Sequence, residues 1–207
     1  MLNWVRRCGW LAVALCISAS AQAGVLNFED QYPGGPWAAD LEPGYGGFNW
    51  DNAPSVVAND YITSRGYELG TVGTTGLIAW NGVVSFSRAS VFNFDRAAVT
   101  SAWNVGEDVL VQGWHNGQLL FSKSLQTSYD GPHYFDFGFK GVDTVSVVGT
   151  GGLDGGSQGG AGLQLVLDQI EWSVDQVVPP GDVPEPWSLA LMGSGLVLMG
   201  LARRRRA

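Results

Sequence analysis

The chain has 207 residues, is 14% charged and 12% aromatic, and carries a net charge of −8 with 30 glycines. So many rings and so few charges exclude a disordered polymer, which lacks aromatics and is densely charged. The acids are concentrated between the chain ends: residues 24–183 hold eighteen acids against five bases, or 5 − 18 = −13, a field that repels phosphates and excludes nucleic acid as a partner.

The first segment is a secretory leader. Arg6 and Arg7 precede the apolar run LAVALCISA (residues 11–19), and AQAG follows, with Ala21 and Ala23 at the small-residue positions. This pattern predicts a signal helix removed by signal peptidase between Ala23 and Gly24. Both cysteines, Cys8 and Cys16, fall inside it. The exported product therefore has no thiol, disulfide or cysteine metal ligand, and its core alone must hold the fold.

Next comes DQYPGGPWAADLEPGYGGFNWDN, residues 30–52, where rings sit among Gly, Pro and acids. Exposed rings on loops can stack on the C–H faces of sugars, with acids beside them as hydrogen-bond partners. Trp37, Tyr32, Tyr45 and Asp40 are the candidate glycan contacts on this basis. Tyr45 and Trp50 are equally suited to capping the core.

The remainder predicts an all-β domain over residues 24–176. Short apolar or alternating runs fall at 25–28, 48–50, 76–80, 83–87, 91–94, 97–103, 108–114, 118–124, 133–139, 144–148 and 163–174. These are strand signals separated by turn residues, and no stretch sustains a helical period. Asn116-Gly117 between two such runs predicts a type I′ hairpin, with His115 at its tip. Phe92 and Phe94, and Phe135, Phe137 and Phe139, share faces at period two and are assigned to the core. About ten strands without crossover helices imply antiparallel pairing in a β-sandwich or jelly roll. Residues 149–162, with eight glycines in fourteen, predict a flexible connection between late strands.

Catalytic motifs are missing. Two histidines, His115 and His133, remain in the exported part, without HExxH, GxSxG or SxxK. Zinc is not expected from so few ligands, and no carboxylate pair stands out as a glycosidase pair would. The expected class is non-enzymatic, with an extracellular glycan-active enzyme as the alternative. Ice binding or adhesion is a further one, although TVGTTG (residues 71–76) is a meagre threonine row.

A linker at 177–182 leads to VPEPWSLALMGSGLVLMGLARRRRA, residues 183–207. Residues 187–202 carry no charge. As a helix they would span about 24 Å, shorter than a hydrocarbon core of about 30 Å. Arg203, Arg204, Arg205 and Arg206 would hold the cytoplasmic side. Pro184 and Pro186 keep the preceding step extended, as a processing protease requires.

The motif Val183-Pro184-Glu185-Pro186, the short apolar run and the Arg cluster together resemble the PEP-CTERM sorting signal of Gram-negative bacteria. The resemblance implies processing by exosortase, a membrane-embedded cysteine protease or transpeptidase. It also implies a membrane-anchored precursor, an association with exopolysaccharide, and a destination at the cell surface or biofilm matrix. The same tail is also known as an ice-binding-protein C-terminal domain. NFED, GYGGFNWDN and LVLDQIEW, at residues 27–30, 44–52 and 165–172, further resemble jelly rolls of carbohydrate-binding-module type. That likeness implies a structural Ca²⁺ held by Glu29 or Asp30 together with Asp168, since carboxylate oxygens suit a hard cation. No other cofactor is expected.

Overall fold

The computed structural model describes residues 22–32, 34–35, 38–61, 64–156 and 160–175. The predicted signal helix with Ala21, Trp37, and everything from the linker through the membrane segment to Arg206 lie outside the described residues. Among the described residues, no helix is long and apolar enough to cross a membrane.

Twelve strands make up most of the described residues. They are β1 (Gln22–Leu26), β2 (Ala38–Asp40), β3 (Asn49–Asp51), β4 (Ser55–Ala58), β5 (Thr75–Ala79), β6 (Val83–Ser101), β7 (Asn104–Val105), β8 (Glu107–His115), β9 (Gln118–Thr127), β10 (His133–Thr150), β11 (Leu153–Asp154) and β12 (Leu165–Val174). Every pairing is antiparallel, in the order β2-β4-β5-β12-β6-β10-β8-β9, with β1 added on β12, β3 on β6, and a separate β7–β11 ribbon. Val56, Leu77, Leu165 and Leu167 from one arm of this sheet share a single core with Val109, Val111, Val145 and Val147 from the other. The fold is thus all-β and antiparallel, consistent with the expected β-sandwich.

Two predicted groups of strands merge. The runs at 83–87, 91–94 and 97–103 form the single 19-residue β6, and 133–139 with 144–148 form the 18-residue β10. Register shifts between Asp136 and Thr144 bend the pair. Bulges of this kind let one strand follow a curve instead of ending.

The Asn-Gly hairpin is as expected, with Asn116 at φ 49° and Gly117 at φ 74°, the positive pair a type I′ turn requires. Phe92, Phe94 and Phe139 are buried, while Phe135 and Phe137 are half-buried at the core margin.

β4 and β5 are buried along their whole length, so both of their faces are covered. Val56 and Leu77 face the main core, whereas Val57 and Ile78 join Tyr67, Ala102, Trp103 and Val166 in a second cluster. That cluster is covered by α1 (Arg65–Gly70). Six residues are too few to show a helical period, so the sequence gives no sign of α1. Gly66 is required there: a Cβ would overlap the backbone of Ser101 and Ala102.

Candidate functional site

The 30–52 segment divides. Tyr32 is 45% exposed, and Asp40 is exposed at the end of β2, paired with Ser55. Tyr45 instead stacks on Phe28 at 5.3 Å and donates its hydroxyl to Asp30 Oδ1 at 2.9 Å. Burial, with Asp30 beside it, pushes the Tyr45 pKa up to about 12. Trp50 donates Nε1–H to the Tyr45 carbonyl at 3.0 Å and packs on Phe86 at 5.2 Å. Tyr45 and Trp50 therefore cap the core, and Tyr32 and Asp40 are the candidate contacts that face solvent.

Of the three acids implied as calcium ligands, Glu29 and Asp168 reach the same loop and Asp30 does not. Glu29 Oε1 accepts the amides of Thr74 (2.8 Å) and Thr75 (3.0 Å). Gly73, at φ +115°, leaves Glu29 the space that a Cβ would occupy at 2.5 Å from Oε1. Asp168 is fully buried. Its Oδ2 accepts the Val72 amide at 2.7 Å and its Oδ1 the Gln169 amide at 2.6 Å. Burial pushes its pKa up to about 7; the two amides oppose this and the Glu29 charge adds to it. Asp30 is turned away to Tyr45.

Among the described residues no three acidic, histidine or cysteine side chains meet as a metal centre. Amides engage Glu29 Oε1 and both Asp168 oxygens, and no chemistry is routed through a cation here. The backbone is nevertheless unusual on both sides, with Phe28 at φ 58° and Gln169 at φ 47°. Positive φ at non-glycine residues costs of order 1–3 kcal/mol, and here it turns Glu29 and Asp168 toward the same loop.

Sequence reasoning missed an aromatic ladder on the outer face of β4 and β5. Trp80 and Tyr61 meet edge-on at 6.3 Å, Tyr61 and Tyr67 at 5.6 Å, and Tyr67 and Trp103 at 5.7 Å. The inner end is locked: the Tyr67 hydroxyl and Trp103 Nε1–H both donate to Gln164 Oε1, at 2.5 and 2.7 Å. The outer end, Tyr61 and Trp80, is half-buried, with Trp80 Nε1–H held by Ser55 Oγ at 2.9 Å. Asp60 and Asn81 are exposed next to these rings in the chain. Such a surface offers rigid apolar rings beside polar groups, the composition of small-molecule sites. The only sign in the sequence was the unbroken apolar run GLIAW (residues 76–80), which marks a strand covered on both faces.

A second buried carboxylate lies at the other end of β5's neighbours. Glu107 is fully buried, accepts the Ser101 hydroxyl on Oε2 at 2.6 Å, and has no partner for Oε1. Burial pushes its pKa up to about 7, with the Ser101 bond opposing. The glycine-rich stretch lies over this region and is not a free connection. A Cβ at Gly149 would overlap Glu107 Oε1, one at Gly155 the Tyr129 ring, and one at Gly160 the Trp103 ring. These glycines are selected by close packing rather than by flexibility, which corrects the sequence expectation for the described part of 149–162.

Of the processing residues, Ala23 and Gly24 lie in β1, opposite Ser173 and Trp172. His115 sits at the hairpin tip beside Asp143, with Nδ1 and Oδ2 3.4 Å apart, a surface pairing.

Residues 182–206 match the PEP-CTERM protein-sorting motif. The motif implies recognition by exosortase and an exported, cell-surface-targeted protein with a membrane-anchored precursor. Comparison with curated proteins finds no match. Among solved structures, the domain is similar to the K1 cleaved adhesin domain of Lys-gingipain from Porphyromonas gingivalis W83. The identity is 8% and the TM-score 0.40, over 76% of this chain and 99% of that one. It is also similar to TmCBM61 in complex with β-1,4-galactotriose, at 10% identity and TM-score 0.31, over 64% of this chain and 90% of that one.

Proposed function

With a PEP-CTERM motif at residues 182–206 as the starting point, we propose that this chain is a non-enzymatic glycan-contacting protein of a Gram-negative cell surface or exopolysaccharide matrix. It is exported behind a leader cut at Ala23–Gly24, held in the membrane by residues 187–202 and Arg203–Arg206, and processed by exosortase at Val183-Pro184-Glu185-Pro186. The ectodomain is a β-sandwich of jelly-roll type. The observation that carries the reading is the sorting motif itself, which begins seven residues after Asp175, the last described residue of the domain.

The non-enzymatic part is supported by where the unusual acids lie. Asp168 and Glu107, the two carboxyls pushed up to about 7, would suit a general acid. Both are fully buried, and neither can touch a substrate. The glycan part is supported by exposed Tyr32 and Asp40, which flank the candidate Trp37 in the chain, and by the half-exposed Tyr61–Trp80 pair. Calcium is no part of the binding step in this reading.

The test is glycan-array and exopolysaccharide pull-down binding by the exported domain, with Ca²⁺ and with chelator. Trp37→Ala and Trp80→Ala are compared with the unmodified domain. Saturable binding lost in either variant is the expected result and locates the contact surface. Full binding in both variants would move the site elsewhere, and no binding to any glycan would leave a structural matrix protein.

A further inference from the structure

β1 closes the fold over the greatest distance in sequence. Its register pairs Gln22 with Val174, Ala23 with Ser173, Gly24 with Trp172, Val25 with Glu171 and Leu26 with Ile170. Residues 24 and 172 are 148 positions apart. β12 is also held from its other side, by pairing of Glu171, Trp172 and Ser173 with Arg96, Phe94 and Asn93.

A polar chain fixes the end of β12 further. Lys140 pairs with Asp95 Oδ1 at 2.9 Å, and the Ser173 hydroxyl donates to Asp95 Oδ2 at 2.7 Å. Buried Asn93 donates to Asp175 at 2.7 Å. β1 has no such polar anchor among the described residues: it pairs with β12 alone, Val25 is 51% exposed, and only its last residue, Leu26, reaches the core. Of the two strands, β1 is the less anchored, and its first half, Gln22–Gly24, is held by pairing alone.

The bond between Ala23 and Gly24, where the leader is to be cut, sits inside this register. Proteases that take extended substrates bind them by main-chain hydrogen bonds, as an added strand. Those are the groups that β12 engages in the folded domain. The fit is also close: a Cβ on Gly24 would lie 2.8 Å from Trp172 Nε1.

We propose that the Ala23–Gly24 bond is a peptidase site only while β1 is unpaired, so that docking of β1 onto β12 switches the site off. Leader removal then has to come before the last strand arrives. At about 5–20 residues per second of synthesis, the intervening 148 residues leave roughly 7–30 s. A precursor that folds first keeps its leader and stays tethered at both ends. The inference rests on the leader reading under Proposed function.

The test uses the full-length precursor in detergent micelles and a signal peptidase. The enzyme is added either to folded precursor or during refolding from denaturant, and intact mass follows the cut. We expect the refolding chain to be cut between Ala23 and Gly24, and the folded chain at least tenfold more slowly. Gly24→Ala keeps a small residue at the site but crowds Trp172, so the folded variant should be cut several-fold faster than the folded parent. Equal rates for folded and refolding chains would overturn the proposal while leaving the leader reading intact. No cut at this bond in either state would overturn the leader reading, and the proposal with it.

Discussion

Replacing Glu107 by glutamine isolates the energetics of one buried carboxyl. Its pKa rises from 4.5 in the unfolded chain to about 7 in the fold because burial disfavours the charged form. A raised folded value means that the native state binds the proton more tightly. The contribution of this one group to stability is therefore full below pH 4.5, falls as pH rises, and levels off above about pH 7. The interval from 4.5 to about 7, at about 1.4 kcal/mol per pH unit, gives a loss of about 3 kcal/mol.

Glutamine has nothing to ionise. It can keep the acceptor for the Ser101 hydroxyl and place its amide nitrogen at the Oε1 position, which has no partner. The unpaired N–H groups add a cost of about 1–3 kcal/mol that is the same at every pH. The quantity to measure is thus the change with pH in the stability difference between Glu107→Gln and the parent, from urea unfolding at pH 4.5, 6, 7 and 8. It should move in favour of the variant by about 3 kcal/mol across that range, with a Tm counterpart of roughly 6–12 °C for a domain of this size. A difference that stays constant with pH would refute the assignment of a buried, neutral Glu107.

Asp168→Asn should follow the same pH trend, because burial raises the Asp168 pKa as well, but from a lower starting point: its two oxygens each hold an amide and asparagine has one acceptor oxygen, so the variant should lose about 2 kcal/mol even at pH 5, read by urea unfolding. Gln164→Leu removes the shared acceptor of Tyr67 and Trp103 and should cost about 2–4 kcal/mol, with a change in tryptophan fluorescence as the second readout. Gly149→Ala drives a Cβ onto Glu107 Oε1 and should cost about 1–3 kcal/mol, largely relieved in a Glu107→Ala background when measured as a double-mutant cycle. Millimolar Ca²⁺ should leave the melting temperature unchanged, because amides already engage Glu29 Oε1 and both Asp168 oxygens; a rise of several degrees that disappears in Asp168→Asn would establish a cation site there.

The parts of this protein that are legible in one dimension are those governed by local rules. The Asn116-Gly117 turn sets its own backbone and so fixes the β8–β9 hairpin. Phe92 and Phe94 declare their face by spacing, and the tail carries its address in three adjacent blocks that need no fold to be read. The aromatic ladder was not legible, because Tyr61, Tyr67, Trp80 and Trp103 come from four separate segments and are brought together only by β4, β5 and α1. The glycine-rich segment misled for a related reason. Composition counts glycines, but only the packed neighbours Glu107, Tyr129 and Trp103 show why side chains are excluded.

The sequence by itself determined the sorting motif that targets the protein to the cell surface, its acidic field and its all-β class, since each follows from composition or contiguous pattern. The tertiary structure alone decided which acids are buried, which rings face solvent, and that the predicted leader cut falls inside a strand paired 148 residues away. These depend on long-range contacts. The free energy of a carboxyl, a ring or a peptide bond is set by what surrounds it in space, and that is not written beside it in the chain.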